Sequence, residues 1–241
     1  RMYRKEHHSE YGEVVLTWDS KHSWRRDYFP EYKASRRKGR EESDLNWDDI
    51  FGTLNKIRNE IKQNFPYKYL EVFGAEADDI IGYLCEENRD EKILIISGDK
   101  DFIQLQKYSN VTQWSPITKK QVNGFDPTIY LKEHILKGDT SDGVPNVLSP
   151  DNTFTDGLRQ RPLTRKKIQS WLVGGGSDWN DEVKRNFQRN LTLIDLTQTP
   201  EELKNQIRLE YNNAPHGDRS KLLNYFMQNK LKELTENIGE F

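Results

Sequence analysis

The acidic residues of this sequence fall where chemistry could use them. Asp19 closes the apolar run Val14-Val15-Leu16-Thr17-Trp18. Glu76, Asp78 and Asp79 follow Tyr69-Leu70-Glu71-Val72-Phe73, and Asp99 and Asp101 follow Ile93-Leu94-Ile95-Ile96-Ser97. Each run has the composition of a buried strand. In an open parallel sheet, ligands bind beyond the carboxyl ends of the strands, so these six carboxylates are expected along one sheet edge. Taken singly, an Asp at a helix start is an ordinary cap or dipole partner. Six together repel strongly unless cations neutralise them. Hard divalent cations with oxygen ligands are the natural solution, and beside phosphate the usual one is Mg²⁺. A further pair, Asp139 and Asp142, sits in Gly138-Asp139-Thr140-Ser141-Asp142-Gly143-Val144-Pro145. Its spacing lets both face one way on a helical turn, although alone it also reads as a polar turn before a proline.

The cations are segregated too. Residues 21–40 carry eight of them (Lys21, Arg25, Arg26, Lys33, Arg36, Arg37, Lys38 and Arg40) against Asp27 and Glu31, inside a chain of net charge −2. Tyr28, Phe29 and Tyr32 are interleaved with them. An acid-lined site beside a basic, aromatic-bearing segment points to phosphodiester chemistry. Two metals roughly 3.5–4 Å apart can activate a water and stabilise the leaving oxygen, while the cations hold a polyanion in a salt-dependent way. No Ser/His or Cys/His constellation offers a nucleophilic alternative. A second group, Arg159, Arg161, Arg165, Lys166 and Lys167, has no acid among residues 159–167; it reads equally as a duplex-backbone contact or a solvated face.

The elements that must position these residues alternate. Strand, helix, strand, helix, strand runs from Val14 to Ser97, the helices spanning Asn46 to Phe65 and Ala75 to Glu87. That order predicts an α/β fold with a mostly parallel sheet flanked by helices and right-handed crossovers. Ile93 to Ile96, apolar on both faces, is expected at the centre of the sheet. From Pro127 onward the pattern is helical, near 127–137, 164–173, 178–188, 200–211 and 218–237. Two regions are therefore expected, a core over 1–126 and a helical lobe over 127–241. Gly174-Gly175-Gly176-Ser177 lacks the strand and the Lys-Ser/Thr of a phosphate loop and reads as a turn. The single cysteine, Cys85, excludes an internal disulfide and fits a core position. His7-His8 are adjacent, so they do not share a helical face and read as a solvated helix end. No apolar run is long enough to cross a membrane and no signal peptide is visible. A cytoplasmic setting is expected. Met2-Tyr3-Arg4-Lys5 reads as a helix already under way.

In sequence order, Glu76-Ala77-Asp78-Asp79, Ser97-Gly98-Asp99-Lys100-Asp101 and Gly138-Asp139-Thr140-Ser141-Asp142 resemble the flap endonuclease and 5′-3′ exonuclease superfamily. Trp24-Arg25-Arg26-Asp27, Arg40-Glu41-Glu42-Ser43, Gln113-Trp114-Ser115-Pro116, Ile135-Leu136-Lys137-Gly138-Asp139 and Asn237-Ile238-Gly239-Glu240-Phe241 are similar to the ribonuclease H group of the T-even bacteriophages, from about Gly12 to Phe241. The resemblance implies a resolvase/PIN-like nuclease core and removal of RNA primers and short DNA 5′ ends in phage replication in an infected bacterium. It implies that Asp19, Asp78 and Asp99 help hold a first Mg²⁺, with Glu76 nearby, and that Asp101, Asp139 and Asp142 hold or orient a second, with Mn²⁺ as a substitute. Asp79 matches an acidic position without a settled role. Lys33 is implied over the scissile phosphate with Arg36 beside it. Arg25, Arg26, Arg37, Lys38, Arg40, Arg165, Lys166 and Lys167 are implied to contact nucleic acid.

By the same resemblance, residues 34–45 form an arch over a 5′ single strand. Residues 138–148 start a helix-hairpin-helix-like element that in relatives can bind K⁺; here it runs into a polar insertion. Family members have a further N-terminal strand with another metal-binding Asp, which this sequence starts too late to contain. The expected substrates are branched or nicked DNA and RNA–DNA duplexes with a 5′ end. A single-strand-binding protein and a sliding clamp are implied partners, and a monomer is expected. Two other readings stand beside this one: a PIN-type ribonuclease, which needs no 5′ end, and a duplex-binding fragment or interaction module without catalysis.

Overall fold

A computed structural model describes residues 1–214 and 219–241, without the side chains of Arg37 and Lys38. Helix α1 (Met2–Tyr11) precedes strand β1 (Val15–Thr17). The basic segment follows as two short helices, α2 (Trp24–Tyr28) and α3 (Ser35–Glu41), and then comes the long α4 (Trp47–Asn64). Strand β2 (Lys68–Leu70), helix α5 (Ala77–Glu87) and strand β3 (Ile93–Ile96) come next. A 3₁₀ helix over Lys100–Lys107 leads to β4 (Val111–Ser115) and β5 (Lys120–Gln121). The remainder is helical: α6 (Pro127–Lys137), α7 (Arg165–Gly174), α8 (Asp181–Ile194), α9 (Glu201–Asn213), α10 (Leu222–Gln228) and α11 (Lys232–Glu236). The expected α/β core with a helical second half is present. No described helix is long and apolar enough to cross a membrane.

The sheet differs from the expectation in one respect. β1 pairs with β2 in parallel, and β3 pairs with β4 in parallel with β5 added antiparallel, so the strands form two small sheets. β3 is therefore an edge of its sheet rather than the centre, and Ile96 at its end is 40% exposed. Its apolar residues are still used: Ile95 packs with Cys85 of α5 and with Phe102, Leu105 and Val111. Cys85 is a core residue, and burial pushes its thiol up to about 12. Among the described residues His7 and His8 gather no metal-ligand set, and the His8 ring meets the Gly12 carbonyl at 2.6 Å.

Local signals account for the helix boundaries. Asn46 caps α4 by accepting from the Asp49 amide at 3.2 Å, Asp48 and Asp49 occupy its positive end and Lys62 its last turn. Asp126 caps α6, with Pro127 at the first helical position. Helix α8 runs to Ile194, well beyond the expected end near 188, and polar residues share its inner face with Val183, Leu193 and Ile194. Asn186 donates to the carbonyls of Val147 and Ser149, and Asn190 to those of Ile135 and Pro145. These buried amides satisfy the carbonyls of an irregular stretch, and they mask the apolar periodicity that marks a helix. The helix expected over 218–237 is broken, with Lys230 in a left-handed conformation (φ 56°) between α10 and α11.

A buried ion pair within the first half is hydrogen-bonded to the second. Arg25, 2% exposed, donates through Nη1 and Nη2 to the two oxygens of Asp79 at 2.9 and 2.8 Å, and through Nε to the Leu193 carbonyl at 2.8 Å. Asp79, fully buried, also accepts from the Thr199 hydroxyl (2.8 Å), the Trp24 indole (3.2 Å) and the Glu76 amide (2.9 Å). Removing one partner strands the other charge without water, at a cost of about 3–5 kcal/mol. Arg25→Ala is thus expected to lower the unfolding free energy in urea by that order. Its exposed neighbour Arg26→Ala should stay within about 0.5 kcal/mol of the parent.

Candidate metal centre and active site

Four stretches of chain deliver carboxylates to one cavity of about 610 Å³, lined by Asp19, Glu76, Asp78, Asp99, Asp101, Asp139 and Asp142, with Lys33 and Arg36 among its walls. Asp19 follows β1 and is fixed by the Ala77 amide, which donates to its Oδ1 at 2.7 Å at the start of α5. Asp78 projects from the first turn of that helix. Asp99 follows β3, and its Oδ1 accepts from the Asp101 amide at 3.0 Å, capping the 3₁₀ helix. The backbone of this loop is held by the buried Gln113 of β4, whose amide donates to the carbonyls of Ser97 (3.0 Å) and Asp99 (2.6 Å).

Asp139 follows α6 across Gly138, which has φ 67°. A Cβ there would lie 2.3 Å from the Val144 carbonyl oxygen, so only glycine fits. Asp139 Oδ1 then accepts from the amide and hydroxyl of Ser141, both at 2.7 Å, and from the Asp142 amide at 3.3 Å. This closes the turn that presents Asp142.

The seven acids divide by their neighbours. Glu76 and Asp142 are already compensated. Lys33 Nζ donates to Glu76 Oε1 at 2.7 Å and lies 3.6 Å from Asp142, Arg36 donates to Asp142 Oδ1 at 2.5 Å, and the Tyr32 hydroxyl stands 2.8 Å from both carboxylates. By contrast, no described Lys or Arg pairs with Asp19, Asp78 or Asp99. Burial, followed by repulsion from Asp99 and Asp101, pushes Asp78 up to about 7. Burial pushes Asp101 up to about 6, with Asp99 and Asp139 adding to it against the pull of His134. Burial also opposes ionisation of Asp139, but His134 and Ser141 beside it hold that carboxyl well below the ordinary value. Half-desolvated oxygens in mutual repulsion, spaced around open volume, suit hard divalent cations.

Two expectations are overturned. Asp79 cannot reach a cation in the cavity, because it is fully buried and every oxygen is taken by Arg25, Thr199, Trp24 or Glu76. Arg25 cannot meet nucleic acid, because it is buried beneath the site as the partner of Asp79 and Glu76. Arg26 is exposed on α2; Arg40 lies 5.9 Å from the Phe51 ring. Arg165, Lys166 and Lys167 are exposed on the first turn of α7 and do not line the cavity. The side chains of Arg37 and Lys38 lie outside the described residues.

Sequence reasoning missed four participants. Tyr32 bridges Glu76 and Asp142, Gln113 clamps the Asp99 loop, Thr199 completes the Asp79 anchor, and His134 stands between Asp101 and Asp139. Tyr32 stood among cations and Gln113 within a family-like motif, but neither had a role that the sequence could show.

Comparisons with known proteins give the family. Residues 1–134 match the family model described as the 5′-3′ exonuclease, N-terminal resolvase-like domain, and residues 126–241 match that of the T4 RNase H C-terminal domain. The chain belongs to the 5′-3′ exonuclease family of nucleases. It is 36% identical to the ribonuclease H of Enterobacteria phage T4, over 96% of this chain and 80% of that one. It is 32% identical to a 5′-3′ exonuclease of Buchnera aphidicola from Acyrthosiphon pisum, over 82% and 72%. Among solved structures, the bacteriophage T5 flap endonuclease in a complex with DNA and metal ions superposes with a TM-score of 0.59 at 17% identity, over 83% of each chain. A second T5 structure, co-crystallised with metal ions, gives 0.60, over 83% of this chain and 85% of that one.

The raised carboxyls make metal-free stability depend on pH. Unfolded, Asp78 and Asp101 release their protons near 3.8; folded, they keep them to about 7 and 6. The native state therefore binds more protons across this window, and stability falls as pH rises. His134, also raised, acts in the same direction, while Asp139, lowered, acts only below 3.8. Melting temperatures of the metal-free protein should drop between pH 4 and pH 7, and Asp78→Asn should flatten the profile. A profile that rises over the same range would count against the crowding of these acids.

Proposed function

We propose that this protein is a Mg²⁺-dependent 5′ nuclease that hydrolyses phosphodiester bonds near the 5′ ends of RNA–DNA and DNA duplexes and flaps, as in RNA primer removal. The observation that carries this reading is the segregation of charge in one cavity. Among the described residues Asp19, Asp78 and Asp99 have no basic partner, while Lys33 and Arg36 stand at the side. Asp19, Asp78 and Asp99 would hold a first Mg²⁺, with Glu76 nearby, and Asp101, Asp139 and Asp142 a second, with Mn²⁺ as a substitute. The two ions, when bound, supply water activation and stabilisation of charge on the leaving oxygen.

The protein's own residues do the rest. Lys33 and Arg36 leave Glu76 and Asp142 to bind the scissile phosphate and align it. Tyr32 and Arg25 keep Glu76 in place when Lys33 departs, since both already donate to its Oε2. Arg26, Arg37, Lys38 and Arg40 would meet the 5′ strand, with residues 34–45 as an arch. Arg165, Lys166 and Lys167 would hold duplex backbone, a contact weakened by salt. A K⁺ ion at the 138–148 turn belongs to the same reading, as do a core over 1–126, a DNA-binding lobe over 127–241 and a monomeric state. So do action in the cytoplasm of an infected bacterium and docking to a single-strand-binding protein and a sliding clamp.

The test is cleavage of a 5′-end-labelled RNA–DNA hybrid bearing a short flap, with and without Mg²⁺. Release of short 5′ products only with metal is expected, and Asp99→Asn should abolish it while duplex binding persists. Lys33→Ala should slow cleavage at least tenfold without lowering the melting temperature. Retained duplex binding with no cleavage would instead identify a non-catalytic duplex-binding protein. Cleavage that needs no 5′ end would favour a PIN-type ribonuclease.

A further inference from the structure

We infer that His134 is a direct ligand of the cation held between Asp101 and Asp139, which makes that position a mixed nitrogen–oxygen site with a preference for Mn²⁺ over Mg²⁺. The inference rests on the metal-dependent reading above and deepens it. Asp101, His134 and Asp139 are the His/Cys/Asp/Glu group among the described residues whose ligand atoms lie together, within 4.8 Å of one another. His134 Nδ1 lies 3.5 Å from Asp101 Oδ1, and its Nε2 lies 3.5 Å from Asp139 Oδ2. Both separations exceed the roughly 2.7–3.2 Å of a good N–H···O hydrogen bond. A single ring nitrogen with one oxygen from each carboxylate forms a set whose atoms lie within 4.8 Å of one another, about the span of ligands that surround one divalent ion.

The surroundings aim these atoms. Asp139 Oδ1 is consumed by Ser141 and the Asp142 amide, so Oδ2 is the oxygen left to face the imidazole. The ring is carried on the last turn of α6 and packed edge-on against Tyr130, with centroids 6.0 Å apart, yet it still lines the cavity. One ring nitrogen can bind the ion between the two carboxylates, with the imidazole held in place by the Tyr130 ring packed against it. Imidazole is a poor ligand for Mg²⁺, which prefers oxygen and water, and a better one for the later divalent ions. The nitrogen therefore sets this position apart from the all-oxygen site of Asp19, Asp78 and Asp99.

The test uses the full chain, stripped of metal and titrated with Mn²⁺ alone. Free Mn²⁺ is followed by continuous-wave electron paramagnetic resonance, and the bound ion is examined by pulsed resonance for nitrogen coupling. The expected result is a ¹⁴N coupling typical of a bound imidazole, converted to a ¹⁵N pattern when the histidines are labelled. It should be lost in both His134→Gln and His134→Phe. Affinity for Mn²⁺ at one site should fall tenfold or more in the variants, and affinity for Mg²⁺ by less. Two Mn²⁺ ions bound with no nitrogen coupling in the parent would overturn the inference while leaving the metal-dependent nuclease intact. No Mn²⁺ bound in the parent would overturn both.

Discussion

The buried pair of Arg25 and Asp79 is the constraint on which the rest of this structure depends. An isolated charge at either position would be intolerable without water, so each residue dictates the place of the other. Through Asp79 the pair fixes the first turn of α5, from which Glu76 and Asp78 project. Through the Leu193 carbonyl and Thr199 it ties that turn to the end of α8 and the chain that follows. Sequence spacing puts Asp79 beside Asp78, yet helical geometry turns one inward to a guanidinium and the other outward to the cavity. Neighbouring identical residues thus serve opposite ends, one holding the scaffold and one lining the cavity.

Above that anchor, charge is arranged as an unfinished sum. Where a cation is built into the chain, as Lys33 and Arg36 are beside Glu76 and Asp142, the carboxylates are hydrogen-bonded and ordered. Asp78, with no such partner among the described residues, is pushed up by burial and by Asp99 and Asp101. The two populations lie in one cavity, so a diffusible cation and a polyanionic substrate find complementary partners side by side. Binding of phosphate by Lys33 and Arg36 would in turn unmask two more carboxylates, which couples occupancy of the two halves of the site.

Much of this was legible before any coordinates. Acids beyond apolar, β-branched runs pointed to a strand-end site, and Asp19, Asp78, Asp99, Asp101, Asp139 and Asp142 do converge there. The composition of Ile93 to Ile96 correctly marked a strand but not its place, because an apolar run does not say which edge finds a partner. Sequence could not separate Asp79 from Asp78, since burial of a carboxylate depends on a guanidinium 54 residues away. Arg25 was indistinguishable from its cationic neighbours for the same reason. His134 was silent because its meaning lies entirely in what two distant turns bring to its ring. The polar inner face of α8 hid a helix end, since its amides serve carbonyls remote in sequence.

Thr199 and Asp79 are 120 residues apart and touch through a single hydroxyl. During synthesis the amino-terminal part leaves the ribosome first. Arg25 and Asp79 can meet early, but the surface that seals them from water is completed only by Leu193 and Thr199. Contacts of such long range are slow to form, because the entropy of closing the intervening chain must be overcome before they stabilise anything. The anchor beneath the cavity is therefore completed only after residue 199 has been made, long after Arg25 and Asp79 themselves.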